Sequence, residues 1–210
     1  MITLAPGKLQ TVNFDDFVAW YPEKSEVCYE LHQGIIVAMP KPKGKHSEIA
    51  GFLMAELNFE IKRLNLPYVI PRECLIKAGD LSGYEPDVIV LDREKLKNEP
   101  RWEKESTITK GETAPLVIEV VSSNWSDDYA LKLDAYETLG IQEYWIVDYL
   151  GIGGRKFIGN PKQPTLSIFS LQNEEYSLKQ YKENQQMNSL VFPEIKLRVS
   201  QIFAAYSRDW

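Results

Sequence analysis

APLVIEVVSSNWSDDYALKLDAYETLGIQEYWIVDYL, residues 114–150, is the stretch that decides the fold. Its opening, PLVIEVV, is a short, nearly continuous apolar run of the kind expected of a strand covered on both faces. The period then changes: over residues 126–139, Leu131, Ala135 and Leu139 recur at helical spacing, and Gly140 follows where a helix takes its C′ residue. EYWIVDYL, residues 143–150, returns to the buried-strand pattern. Strand, helix and strand over 115–150 predict a βαβ crossover, hence parallel neighbours in a sheet and an α/β fold.

Working outward, PDVIVLD at 86–92 reads as a second buried strand, with strand-like runs before it at 68–70 and 74–77. Between 46 and about 64, Ile49, Phe52, Leu53, Leu57 and Ile61 form a stripe at helical spacing, with Glu48, Glu56, Glu60 and Lys62 elsewhere. Residues 27–39 alternate apolar and polar on both sides of His32-Gln33-Gly34, which predicts a β-hairpin. Phe14, Phe17 and Val18 behind a Thr11 or Asn13 cap predict a short first helix. Residues 93–113 carry many charges and little periodicity, and read as a loop with one helical turn. Beyond the crossover, KFIG, LSIF, YSLKQY and SLVF read as strands, and a last helix is expected near 199–206. The expectation is one domain spanning 1–210: a mixed sheet flanked by helices, with an N-terminal hairpin and a β-rich C-terminal flank.

The composition, 44% hydrophobic, 26% charged and 11% aromatic over 210 residues, is that of an ordinary globular chain. No stretch approaches the roughly 20 apolar residues of a membrane span, and MITLAPGKLQ lacks the basic and apolar regions of a secretory signal. A cytoplasmic protein with no membrane partner is expected. Cys28 and Cys74 show no CxxC spacing, which favours two small buried hydrophobes over a disulfide or zinc site. A formal net charge of −6 argues against gripping nucleic acid by the overall field. A local basic patch reaching phosphates is compatible with it.

Glu119 is the anomaly, a carboxylate with apolar neighbours on both sides in a strand that should be buried. Unpaired and ionised there it would cost several kcal/mol. Two readings remain, an ion pair with a buried lysine or arginine and a metal ligand. Asp87 repeats the pattern after Pro86, either as a second hard oxygen donor of the kind Mg²⁺ favours or as a strand-start turn residue. DDYALKLDAY places Asp128, Lys132 and Tyr136 on one helix face, as a solvated i,i+4 pair or as a face turned to Glu119. Glu30 is either a third acidic partner or an outward hairpin residue. His46, at the head of the long helix, is either a phosphate or metal contact or simply a polar N-terminal residue. KPKGK, 41–45, is locally basic and runs into that helix N-terminus, a favourable place for phosphate. Tyr144 and Trp145 read as core.

Taken together, YELHQGIIVAMP with the following His46, EPDVIVLD, APLVIEVVS and DDYALKLDAYETLGIQEYWIVD resemble the PD-(D/E)xK nuclease superfamily, and more closely the Uma2 family of restriction-type endonucleases. The resemblance covers nearly the whole chain; its most specific part is K-x-x-x-Y followed by G-(I/V)-x-EYW-(I/V)-D. It implies Mg²⁺-dependent, or Mn²⁺-dependent, phosphodiester hydrolysis in nucleic acid, DNA first. Asp87 and Glu119, with the Val120 carbonyl, would be metal ligands, Lys132 the catalytic lysine and Glu30 a further acidic member. His46, Lys45 and Tyr136 would touch substrate. One departure stands out: the lysine of (D/E)xK would fall at Val121, and Lys132 on the next helix takes its place. A homodimer would suit two-strand cutting. Rival expectations are a binding module that kept the nuclease fold without cutting, and a hydrolase of small phosphate esters.

Overall fold

Apolar runs bounded by turn residues become strands, and helical stripes become the helices that cover them. In this computed structural model, which describes residues 11–22 and 25–205, the chain begins with α1 (Phe14–Trp20), capped by the Asn13 side chain on the Asp16 amide. The hairpin β1 (Tyr29–His32) and β2 (Ile35–Ala38) follows. Its turn needs positive φ at both central positions, 51° at Gln33 and 83° at Gly34. Then come the 20-residue α2 (Gly44–Arg63), β3 (Tyr68–Val69), β4 (Leu75–Lys77), β5 (Gly83–Tyr84) and β6 (Val88–Asp92). The segment 93–113 holds α3 (Arg93–Leu96), α4 (Trp102–Glu105), β7 (Thr107–Ile108) and a 3₁₀ turn, Gly111–Thr113. The crossover is β8 (Leu116–Val120), α5 (Trp125–Tyr129), α6 (Leu131–Leu139) and β9 (Glu143–Asp148), and α7 (Arg155–Ile158), β10 (Thr165–Gln172), β11 (Glu175–Lys182) and α8 (Val199–Phe203) complete the order.

The strands form two mixed sheets where one was expected. The larger runs β11-β10-β9-β8-β6-β3, and the smaller β2-β1-β5-β4-β7. β8 and β9 are parallel, as the crossover requires, and β6 lies antiparallel on the other side of β8. Because side chains alternate along a strand, Val88, Val90, Leu116, Ile118 and Val120 pack on one face with Leu53 and Leu57 of α2. Ile89, Leu91, Val117 and Val121 pack on the other with Tyr136 of α6. Gly140, at φ 84°, ends α6 in the left-handed cap that its position predicts.

Several expectations change. The helix read over 126–139 is broken at Ala130 (φ −130°, ψ −75°), which lets Asp128 and Tyr129 be buried while α6 restarts. KFIG is the helix α7, with Phe157 stacked on Tyr129 at 4.8 Å, rather than a strand. SLVF forms no strand, because its polar groups bond a side chain instead of a neighbouring strand. Glu143 accepts from Ser189 Oγ (3.1 Å), Leu190 N (2.6 Å) and Val191 N (3.1 Å), and from the Trp145 indole. The polar stretch 93–113 is more ordered than its sequence suggests for the same reason. The Glu99 carboxylate takes hydrogen bonds from the amides of Thr109 and Lys110 and the hydroxyls of Thr109 and Thr113. The opening ten residues and Tyr206, the end of the expected last helix, lie outside the described residues. Among the described residues no helix is long and apolar enough to cross a membrane.

Glu143→Ala should therefore cost stability without touching the cleft, since it leaves several buried donors without an acceptor. A loss of roughly 3 kcal/mol in urea unfolding is expected; a loss under about 1 kcal/mol would show that the 189–191 segment finds other partners.

Candidate active site

The pleat and the register together build the site. Val88 pairs with Ile118 across the antiparallel β6–β8 ladder, so one step further places Asp87 opposite Glu119. Both then lie on the α6 face, with Val117 and Val121. Asp87 Oδ2 accepts the Val120 amide at 2.7 Å, which pins it to the end of β8. From α2, His46 Nε2 reaches the same oxygen at 3.2 Å. Burial opposes protonation of His46, but the hydrogen bond and charge of Asp87, with the Val120 backbone, outweigh it and raise the imidazole above its ordinary value.

Behind them stands one ammonium among three carboxylates. Lys132 Nζ lies 3.0 Å from Glu119 Oε1, 3.0 Å from Glu30 Oε1 and 3.8 Å from Asp128 Oδ1. The Lys132, Glu30 and Glu119 side chains are 3%, 1% and 5% exposed, so water screens them little. Burial disfavours the Lys132 charge, yet Glu119, Glu30 and Asp128 hold it well above the usual lysine range. One cation cannot balance three anions. Burial also disfavours the Glu30 anion, but Lys132 and His32 overcome this and keep it below the usual carboxylate range. Glu119 goes the other way: burial drives it well above that range despite Lys132, with the charges of Asp128, Asp87 and Glu30 adding. Asp128 is pushed by burial to about 7 against the pull of Lys132.

These groups form one wall of a cleft of about 690 Å³. Its rim is basic at Lys41 and Lys43 and acidic at Glu26 and Glu85; burial and the nearby Glu73 and Glu30 push Glu85 up to about 7. Among the described residues no three His, Cys, Asp or Glu side chains group as a metal cage. Mg²⁺ asks for less, since it keeps several waters and takes one or two carboxylates. Among the described residues both hydrogen bonds to Glu119, from Lys132 and Tyr136, fall on Oε1, so Oε2 is left for a further partner. Asp87, at 24% exposed, is open to the cleft. Two hard carboxylates on adjacent strands, each with an oxygen to spare, fit such an ion.

The structure therefore brings Asp87, Glu119, Lys132, Glu30 and His46 together. Tyr136, expected at the substrate, is fully buried instead; its hydroxyl donates to Glu119 at 3.1 Å and has no access to the cleft. Lys45, singled out from the basic loop, is not among the cleft-lining residues, whereas Lys41 and Lys43 are. Asp128 turns inward to Lys132 rather than pairing with it in solvent. Glu85 was not anticipated; a glutamate before Pro86 carries no mark in the sequence that separates it from a surface residue.

A mixed α/β sheet that sets two carboxylates on neighbouring strands and a lysine on the crossover helix is a restriction-endonuclease-like fold. The chain belongs to the Uma2 family, described as "Putative restriction endonuclease", which matches it over residues 14–200. It is also similar to the crystal structure of "a putative nuclease belonging to DUF820" from Anabaena variabilis ATCC 29413, with a TM-score of 0.70 at 21% identity, covering 92% of this chain and 98% of that one. At that identity the likeness shows the fold. Comparison with curated proteins gives no match.

Asp128 gives the cluster a readable pH dependence. A carboxyl raised in the folded state contributes stability that is present below its unfolded value, near 3.8, and lost as pH rises through about 7. Asp128→Asn removes that loss. The stability of the variant relative to the parent should rise from pH 4 to pH 7 in chemical denaturation; a difference flat with pH would place the proton elsewhere.

Proposed function

We propose that the chain is a metal-dependent endonuclease that hydrolyses phosphodiester bonds in nucleic acid, with DNA as the substrate and Mg²⁺ as the ion, replaceable by Mn²⁺. The observation that carries this reading is the convergence of Asp87, Glu119 and Lys132 on one wall of a cleft that Lys41 and Lys43 also line. Family membership supports it.

Asp87, Glu119 and the Val120 carbonyl would hold the ion. When bound it supplies Lewis-acid polarisation of the scissile phosphate and a lowered pKa for water. Lys132 faces the charge that grows on the phosphate oxygens as the bond to the attacking oxygen forms, and a fixed ammonium in a buried site stabilises that charge more than it would in water. His46 orients Asp87 through Oδ2 and leaves Oδ1 for the ion. Lys41 and Lys43 meet the flanking backbone phosphates, a local attraction that the overall acidic charge does not cancel.

The rival reading, a binding module that kept the fold without cutting, draws on one observation: Glu119 already has an internal cation in Lys132. The two separate on Glu119→Gln. With Lys132 still paired to Glu30, the variant should stay folded in chelator, yet nick supercoiled plasmid in Mg²⁺ at least roughly 10²-fold more slowly. A parent protein that shifts DNA in a gel and never cuts it in Mg²⁺ or Mn²⁺ would establish the binding module instead.

Mg²⁺ should also stabilise the fold by relieving repulsion between Asp87 and Glu119. At about 100 times its Kd the gain is roughly 2.7 kcal/mol if only the folded state binds. A melting temperature that stays constant across a wide Mg²⁺ titration counts against the ion.

A further inference from the structure

The family likeness would make Glu30 a further acidic member of the site; its surroundings give it a different task. Both of its oxygens are occupied. Oε1 accepts the Glu85 amide at 3.1 Å and faces Lys132 at 3.0 Å, and Oε2 meets His32 Nε2 at 2.7 Å. A side chain 1% exposed with both oxygens engaged has none to offer an ion.

Those contacts continue into a closed circuit. His32 holds Glu30, Glu30 holds Lys132, Lys132 holds Glu119, and Glu119 accepts from Tyr136. Tyr136 meets Tyr84 edge-on at 5.9 Å, and Tyr84 meets the His32 ring edge-on at 5.3 Å. Glu30, His32 and Tyr84 belong to the smaller sheet and Glu119 to the larger, so the circuit ties the two sheets together around one ammonium. Lys132 Nζ stands at the same 3.0 Å from the carboxylate of each sheet.

We infer that Glu30, backed by His32, is a positioning residue: it holds the Lys132 ammonium midway between the two sheets, so that the lysine divides its charge between Glu30 and Glu119 and Glu119 keeps an oxygen for a cation. This rests on the reading of Glu119 as a metal ligand and adds to it a role for the smaller sheet. Without Glu30 the ammonium, already 3.0 Å from Glu119, has that one strong partner left, gives it the charge it now shares and competes with the ion. The effect of Glu30 on metal binding therefore passes through Lys132.

A double-mutant cycle isolates that path. Mn²⁺ binding is measured by electron paramagnetic resonance, without substrate, on the parent, Glu30→Gln, Lys132→Met and the double variant. Glu30→Gln is expected to weaken Mn²⁺ binding roughly tenfold in the parent, the scale of one charge-assisted hydrogen bond, and to change nothing in the Lys132→Met background. Equal weakening in both backgrounds would make Glu30 a direct ligand and overturn the inference while leaving the metal site intact. No change in either also overturns it. A parent that binds no Mn²⁺ overturns the metal reading itself, and this inference with it. If Glu30→Gln does not fold, His32→Leu takes its place in the same cycle, with a smaller weakening expected in the parent and none beside Lys132→Met. Weakening by His32→Leu in both backgrounds, or in neither, refutes the role.

Discussion

The burial of one ammonium between Glu119 and Glu30 is the constraint on which the rest of the structure depends. An uncompensated charge inside a protein costs several kcal/mol, so Lys132 fixes where its partners must stand. β8 must deliver Glu119 on the α6 face and β1 must come close enough from the other sheet to bring Glu30. The break at Ala130 meets the same demand, because Asp128 turns inward to join the cluster while α6 starts again at Leu131, one residue before Lys132. Two aromatic neighbours, Tyr84 and Tyr144, close around Tyr136 edge to face.

Excess negative charge is what makes the arrangement more than a structural tie. Three carboxylates around one lysine, with Asp87 a strand away, leave Glu119 and Asp128 raised by burial. Such a cluster favours holding protons, and under the proposed function a second cation would relieve it. The ion-pair and ligand readings of Glu119 are alternatives in the sequence; in the structure Oε1 serves the first, and under the proposed function Oε2 would serve the second.

Much of the architecture is legible in the chain because burial writes itself in periodicity. Continuous apolar runs gave the three central strands, and the stripe from Ile49 to Ile61 gave α2. What escaped was ordered by polar hubs, which leave no periodic trace. SLVF bonds to Glu143 in place of a strand, and the segment after α3 is gathered on Glu99. The division into two sheets was equally hidden, since β5 and β7 are two residues long. In the site, Asp87, Glu119 and Lys132 were visible as charges in apolar or one-faced settings. Tyr136 shared that face and was placed too near the solvent, because spacing gives a direction and not a depth. Glu85 stood out only once folding brought it near Glu30 and Glu73.

The central claim is that Glu119 is shared between Lys132 and a divalent ion. Anomalous scattering from a crystal grown with Mn²⁺ tests it most directly. The account predicts one peak at metal–oxygen bonding distance, about 2.1 Å, from carboxylate oxygens of both Asp87 and Glu119, with Lys132 still on Glu119 Oε1. A map without a peak there, at saturating Mn²⁺, would contradict it.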